Sequence, residues 1–158
     1  MSQAMEKSQG LYLEDLHVGQ RFVSGTHYMD EAKIKEFARD FDPQPFHLDE
    51  AAAEASIFGG LAASGWHTAA VAMRLLVDGG LPFGNGIIGL GGDLAWPKPT
   101  RPGDTLHVES EILEIVPSRS KPNQAIVKVR STTLNQGGEP VHSFTSKCLV
   151  FKRPQSSE

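Results

Sequence analysis

The stretch SGWHTAAVAMRLLVD, residues 64–78, constrains the fold more than any other part of the chain. Arg74 is its only charge before Asp78, and apolar residues run almost the whole way round the helix it would form. Ser64 suits an N-cap and the GGLP that follows Asp78 ends the pattern. A helix without a polar face must be enclosed by other structure. What surrounds 64–78 therefore decides the architecture.

Upstream, Phe22, Val23 and Tyr28 mark a first strand, and Asp30 caps an amphipathic helix in EAKIKEFARDF that Pro43 stops. HLDEAAAEASIF supports a short second helix with Asp49 near its start, and GGLAAS breaks it. Downstream everything reads as sheet. GIIGLGGDLAW is a glycine-broken strand. TLHVESEILEIV sets Leu106, Val108 and Ile112 against His107, Glu109 and Glu111. QAIVKVRSTTL sets Ala125, Val127 and Val129 against Ile126, Lys128 and Arg130, and VHSFTSKCLVF puts Phe144, Cys148 and Val150 on one face. PSRSKPN and NQGGEP are turn sequences, so the last three strands form an antiparallel meander. One enclosed helix with one strand before it and about four after it predicts an α+β fold, an antiparallel sheet curled around a long central helix: the hot dog arrangement.

The 158 residues fit one domain, placed at 11–152, with a flexible head at 1–10 and a flexible tail at 153–158. A net charge of −4 with the basic residues spread out argues against a nucleic-acid groove. Cys148 is the only cysteine, which excludes an internal disulfide and points to a reducing compartment. No apolar run approaches the about 18 residues of a membrane span, and the polar start MSQAMEKSQG has no signal-peptide core. A cytoplasmic location without membrane attachment is expected.

DPQPFH, residues 42–47, places Asp42 and His47 five positions apart across two prolines. Pro43 and Pro45 fix two φ angles and push Asp42 and Gln44 out of the helical region. A rigid, extended turn results. From spacing alone it is either a helix-ending loop with a capping Asp42 and a surface His47, or a braced pair of titratable groups. Ser64 and Gly65 admit two readings as well: a plain helix start, or a first turn whose spare N–H groups and positive dipole end face a ligand that Gly65, lacking Cβ, lets in.

FARDFDPQPFHLDEAAA, then SGWH opening the long helix, then WPKPTRPGDTLHVESEI resemble the MaoC-like dehydratases, the family of the (R)-specific enoyl-CoA hydratases, over roughly 12–152. The resemblance rests most specifically on Asp42, Pro45 and His47. It implies a hydro-lyase that reversibly hydrates a trans-2-enoyl thioester, of coenzyme A, to a 3-hydroxyacyl thioester. In that reading Asp42 is the general acid/base, His47 orients a water held between the two, and Gly65 with Ser64 binds the thioester oxygen. It also implies a homodimer, and no cofactor beyond the coenzyme A of the substrate. Three positions depart from the family pattern: Gln44 stands for Asn, Ser64 for a His before the helix-start Gly, and Met73 for a Ser along the helix. These departures bear on substrate range and keep two alternatives open, an acyl-CoA thioesterase on the same fold and a non-catalytic acyl-thioester binding subunit.

Trp66 and His67 are possible substrate-lining residues, although packing explains both. Ser64 and His67 lack the orienting acid of a serine hydrolase. His17, His27, His107 and His142 have no ligand spacing and read as surface or strand residues, so no metal is expected. GLGGD at 89–93 lacks the Lys-Ser/Thr of a phosphate loop and fits a bulge or a close passage over the helix. Lys98, Arg101, Arg119 and Lys121 are loop cations that solvent accounts for as well as coenzyme A phosphates do.

Overall fold

The structure, a computed structural model, describes residues 10–155; of the expected flexible head at 1–10 and tail at 153–158, residues 1–9 and 156–158 lie outside the described residues. Along the chain run β1 (Arg21–Tyr28), α1 (Glu31–Phe41), α2 (Pro45–Leu48), α3 (Glu50–Glu54), α4 (Gly65–Leu75), β2 (Gly89–Ala95), β3 (Thr105–Pro117), β4 (Gln124–Leu134) and β5 (Pro140–Phe151). The strands form one antiparallel sheet in the order β1-β3-β4-β5-β2, with α4 against its concave face. This is the predicted α+β arrangement.

The alternating faces read from the sequence set the core. Leu106, Val108 and Ile112 of β3, Val127 and Val129 of β4, and Cys148 and Val150 of β5 are buried with Val71, Ala72 and Leu75 of α4. Each fully buried branched side chain contributes about 1.5–3 kcal/mol. The meander closes as its turn sequences require: the Asn135 carboxamide oxygen accepts from the Gly137 N–H at 2.9 Å and the Glu139 N–H at 3.0 Å.

Four expectations need revision. α4 is enclosed on one side only, because Trp66 and Met73 on its outer side are exposed. The second helix is two: α2 ends at Leu48, and Asp49 starts α3 by accepting from the Ala52 N–H at 2.9 Å. GLGGD does form a bulge, between Gly89 and Gly91, but its close approach is to β5 and not to the helix. A Cβ on Gly92 would lie 2.3 Å from the Thr145 carbonyl oxygen. The tail is held at its first residue, where the Arg153 N–H donates to Glu14 at 2.9 Å and its guanidinium to Asp15 at 2.5 Å.

Candidate active site

Asp42 ends α1 as its C-cap, its N–H still donating to the Ala38 carbonyl at 2.8 Å. Gln44 is extended, and Pro45 opens α2 at the first helical position, where its missing N–H costs nothing. The braced segment is thus extended only to Gln44; His47 sits in a single helical turn. That change of direction swings the imidazole back over the acid. His47 Nε2 lies 3.2 Å from Asp42 Oδ2.

The imidazole is buried, 5% exposed, and its Nδ1 faces the Ala62 carbonyl oxygen at 2.6 Å. A carbonyl only accepts, so Nδ1 carries hydrogen and Nε2 is the nitrogen presented to Asp42. The contact is direct. A water therefore meets the pair from the cavity side instead of separating the two groups, as the sequence reading had it.

Two further donors converge on Asp42. The Ser64 hydroxyl donates to Oδ2 at 2.7 Å and the Gln44 side-chain amide to Oδ1 at 2.5 Å. Burial pushes the Asp42 carboxyl up, but the Gln44 and Ser64 hydrogen bonds and the His47 ring outweigh it and hold it below its ordinary value of 3.8. Ser64 is wholly buried and committed: its one proton goes to Asp42, and its oxygen accepts the Trp66 N–H at 3.2 Å as the N-cap of α4. The helix start and the acid are thereby tied together.

The Gly65 N–H has no acceptor among the described residues. It lines, with Asp42 and His47, a cavity of about 340 Å³. Phe46 and Phe58, with ring centroids 5.0 Å apart, form one wall. Trp66 and Trp96, edge to face at 5.3 Å, form another, and the Trp96 indole N–H donates to the Gly65 carbonyl at 2.8 Å. A Cβ on Gly65 would meet the Trp96 ring at 2.8 Å. Such an arrangement offers a base, an acid and a bare backbone donor around one small volume, the elements of proton transfer next to a developing oxyanion.

The other candidates separate. Trp66 lines the cavity, whereas His67 does not: its ring stacks on Phe37 at 4.7 Å, with burial lowering its pKa. His142 is in a strand, as expected, but buried rather than at the surface, its Nδ1 3.4 Å from the Thr133 hydroxyl. Met73 is exposed outside the cavity. Lys98 lines it and pairs with Glu139. Arg101 clamps the loop carrying Phe58, donating to the carbonyls of Phe58, Gly60 (2.8 Å) and Leu61 (3.2 Å). Arg119 and Lys121 are exposed and do not line it. Phe46, Phe58, Thr68 and Thr100 escaped sequence reading. Only the one-turn spacing of Thr68 from Gly65 signalled any of them.

Comparison with known proteins gives the family. The family model described as MaoC like domain matches residues 16–135. A MaoC-like dehydratase from Rhodospirillum rubrum is 63% identical, with 92% of this chain and all of that one covered at a TM-score of 0.92. The R-hydratase PhaJ1 from Pseudomonas aeruginosa is 29% identical at a TM-score of 0.71, over 94% of this chain and 93% of that one. The protein YdeM of Bacillus subtilis is 33% identical over 127 residues, 78% of this chain and 87% of its own length.

Proposed function

The chain belongs to the MaoC-like dehydratase family, and from that premise we propose that it reversibly hydrates a trans-2-enoyl thioester of coenzyme A to the 3-hydroxyacyl thioester. The observation that carries this reading is the Asp42–His47 contact at 3.2 Å in one cavity with the unpartnered Gly65 N–H. The similarity to an R-hydratase supports it.

In this reaction a water bound to the pair gives a proton to Asp42 while its oxygen bonds to Cβ. The C=C electrons move to Cα and the thioester oxygen, and the Gly65 N–H at the positive end of α4 stabilises that charge. Cα then takes a proton from the pair, which returns to its starting state. Hydrogen and hydroxyl have been added across the double bond, and nothing is oxidised or reduced. The reaction as written draws only on the chain and its substrate. The working unit in this reading is a homodimer joined at β2, one of the two edge strands of the sheet.

Asp42→Asn keeps the shape and removes the base. Hydration of crotonyl-CoA, followed by loss of enoyl absorbance, is expected to fall about 10²–10⁴-fold, with the circular dichroism spectrum unchanged. Full activity in the variant overturns the assignment of Asp42. Release of free thiol without hydration replaces the reading with thioester hydrolysis, and tight binding without turnover replaces it with a non-catalytic binding subunit.

A further inference from the structure

Two buried side-chain nitrogens, His67 Nδ1 and His142 Nε2, have no hydrogen-bond partner among the described residues. His67 stacks on Phe37, away from the cavity. His142 stands behind one of the cavity walls. β2 and β5 pair Leu94 with Phe144 and Ala95 with Ser143, so the next step of that register sets Trp96 opposite His142 on the same face. Their ring centroids are 5.9 Å apart and inclined at 47°. A polar atom left bare inside a protein is costly unless something reaches it.

The bare nitrogen is an acceptor. His142 is 2% exposed, and burial lowers its pKa, which keeps the ring neutral. Its Nδ1 is 3.4 Å from the Thr133 hydroxyl, and the tautomer that donates there leaves Nε2 with a free lone pair. Trp96 carries a donor close by. Its indole N–H goes to the Gly65 carbonyl at 2.8 Å. There its ring lies 2.8 Å from where a Gly65 Cβ would stand, beside the amide that the hydratase reading assigns to the thioester oxygen. Trp96 is 40% exposed and lines the cavity, so the ring has open space on one side in which to turn. Residues opposite each other in an antiparallel pair have Cβ atoms about 4.5–5.5 Å apart. A turn of the indole about its side-chain bonds therefore carries the N–H from one acceptor toward the other.

We propose that Trp96 is a hinged cover over the Gly65 amide, and that its indole N–H passes from the Gly65 carbonyl to His142 Nε2 as a thioester enters. His142 is then a positioning residue: it does not line the cavity and acts through Trp96. The inference rests on the hydratase reading and adds the step that clears the amide before water attacks. Each position gives the indole N–H one acceptor, so the balance between them is small and a ligand on the Gly65 N–H tips it.

His142→Phe keeps a ring beside Trp96 and removes the acceptor. With crotonyl-CoA, kcat/KM is expected to fall about tenfold, the scale of one hydrogen bond, through a higher KM with kcat near its wild-type value. His142→Gln, which restores a carbonyl acceptor, should recover most of the loss. With Trp96→Phe already present, His142→Phe should change kcat/KM no further, because the donor is gone. Circular dichroism and thermal melting separate these effects from unfolding. An unchanged kcat/KM in His142→Phe, no recovery in His142→Gln, or the same loss on top of Trp96→Phe overturns the inference. If no thioester is hydrated, the hydratase reading fails separately, and the cover is read from binding of butyryl-CoA instead. In a Trp66→Phe protein, whose one tryptophan is Trp96, butyryl-CoA should shift the emission, and His142→Phe should weaken binding about tenfold and abolish the shift. No shift in the Trp66→Phe protein, or an equal shift and affinity with His142→Phe, overturns the inference.

Discussion

At Asp42 three side chains from two stretches of sequence meet one carboxylate, and what they do to its charge is open to measurement. Gln44 holds Oδ1, and Ser64 and His47 hold Oδ2. With its pKa depressed in the folded state, Asp42 contributes stability above its ordinary value of 3.8, and that contribution is lost as pH falls through the depressed value. The acid limb of kcat/KM controlled by Asp42 should lie below the usual carboxylate range for the same reason. Ser64→Ala removes a donor, so that limb is expected to move to higher pH. Activity near neutrality should drop about ten- to hundredfold, since a hydrogen bond to a charged group is lost. Ser64→Thr should restore both, while a Ser64 that serves only as an N-cap predicts about 1 kcal/mol of lost stability and no shift in the profile. The sequence made the pair legible because the spacing of Asp42, Pro45 and His47 is local. It could not reveal the Ala62 carbonyl that fixes the imidazole or the Ser64 hydroxyl that grips the acid, since both come from residues that only folding brings near.

In this reading the start of α4 carries the oxyanion role, and its geometry depends on a residue 31 positions downstream. Trp96, just past β2, covers the Gly65 carbonyl with its indole N–H and stands where a Gly65 side chain would go. Gly65→Ala is expected to push the ring aside and narrow access to the N–H, lowering hydration about 10²–10³-fold, the scale of a lost oxyanion donor. Tryptophan fluorescence should shift while far-ultraviolet circular dichroism does not. Unchanged activity would remove the Gly65 N–H from the reaction. The end of α4 was not readable from GGLP, since α4 stops at Leu75 and a π-type turn spans Leu76–Gly80; the helix's existence and its start, set by the local capping of Ser64, were readable. The split of the second helix was not: Asp49 caps α3 in place of extending α2, a choice between two favourable local states that the surrounding contacts decide.

For the whole molecule, periodicity gave the strands, their faces and the central helix, but not what lies against the outer surfaces. β2 pairs with β5 on one side and has no partner on the other among the described residues, and its own residues are exposed throughout. It carries Leu90 and Leu94 on that exposed strand with Asp93 as its only charge, and no proline blocks pairing. Soluble proteins rarely leave such an edge open. The outer side of α4, with Trp66 and Met73 exposed and Val77 exposed in the turn that follows it, is a second uncovered apolar surface, and it explains how a helix without a polar face tolerates enclosure on one side in a single chain. A two-fold pairing of β2 with β2 would join two sheets into one and is closed by symmetry. Light scattering after gel filtration is therefore expected to give twice the 17.1 kDa of the chain or a multiple of that. Leu94→Lys, which puts a charge near the end of the joined edge, should shift the protein toward monomer and lower hydration with it. A wild type that elutes and scatters as a monomer at micromolar concentration would leave the cavity near Trp96 open to solvent in the working enzyme, and edge pairing would have no part in its activity.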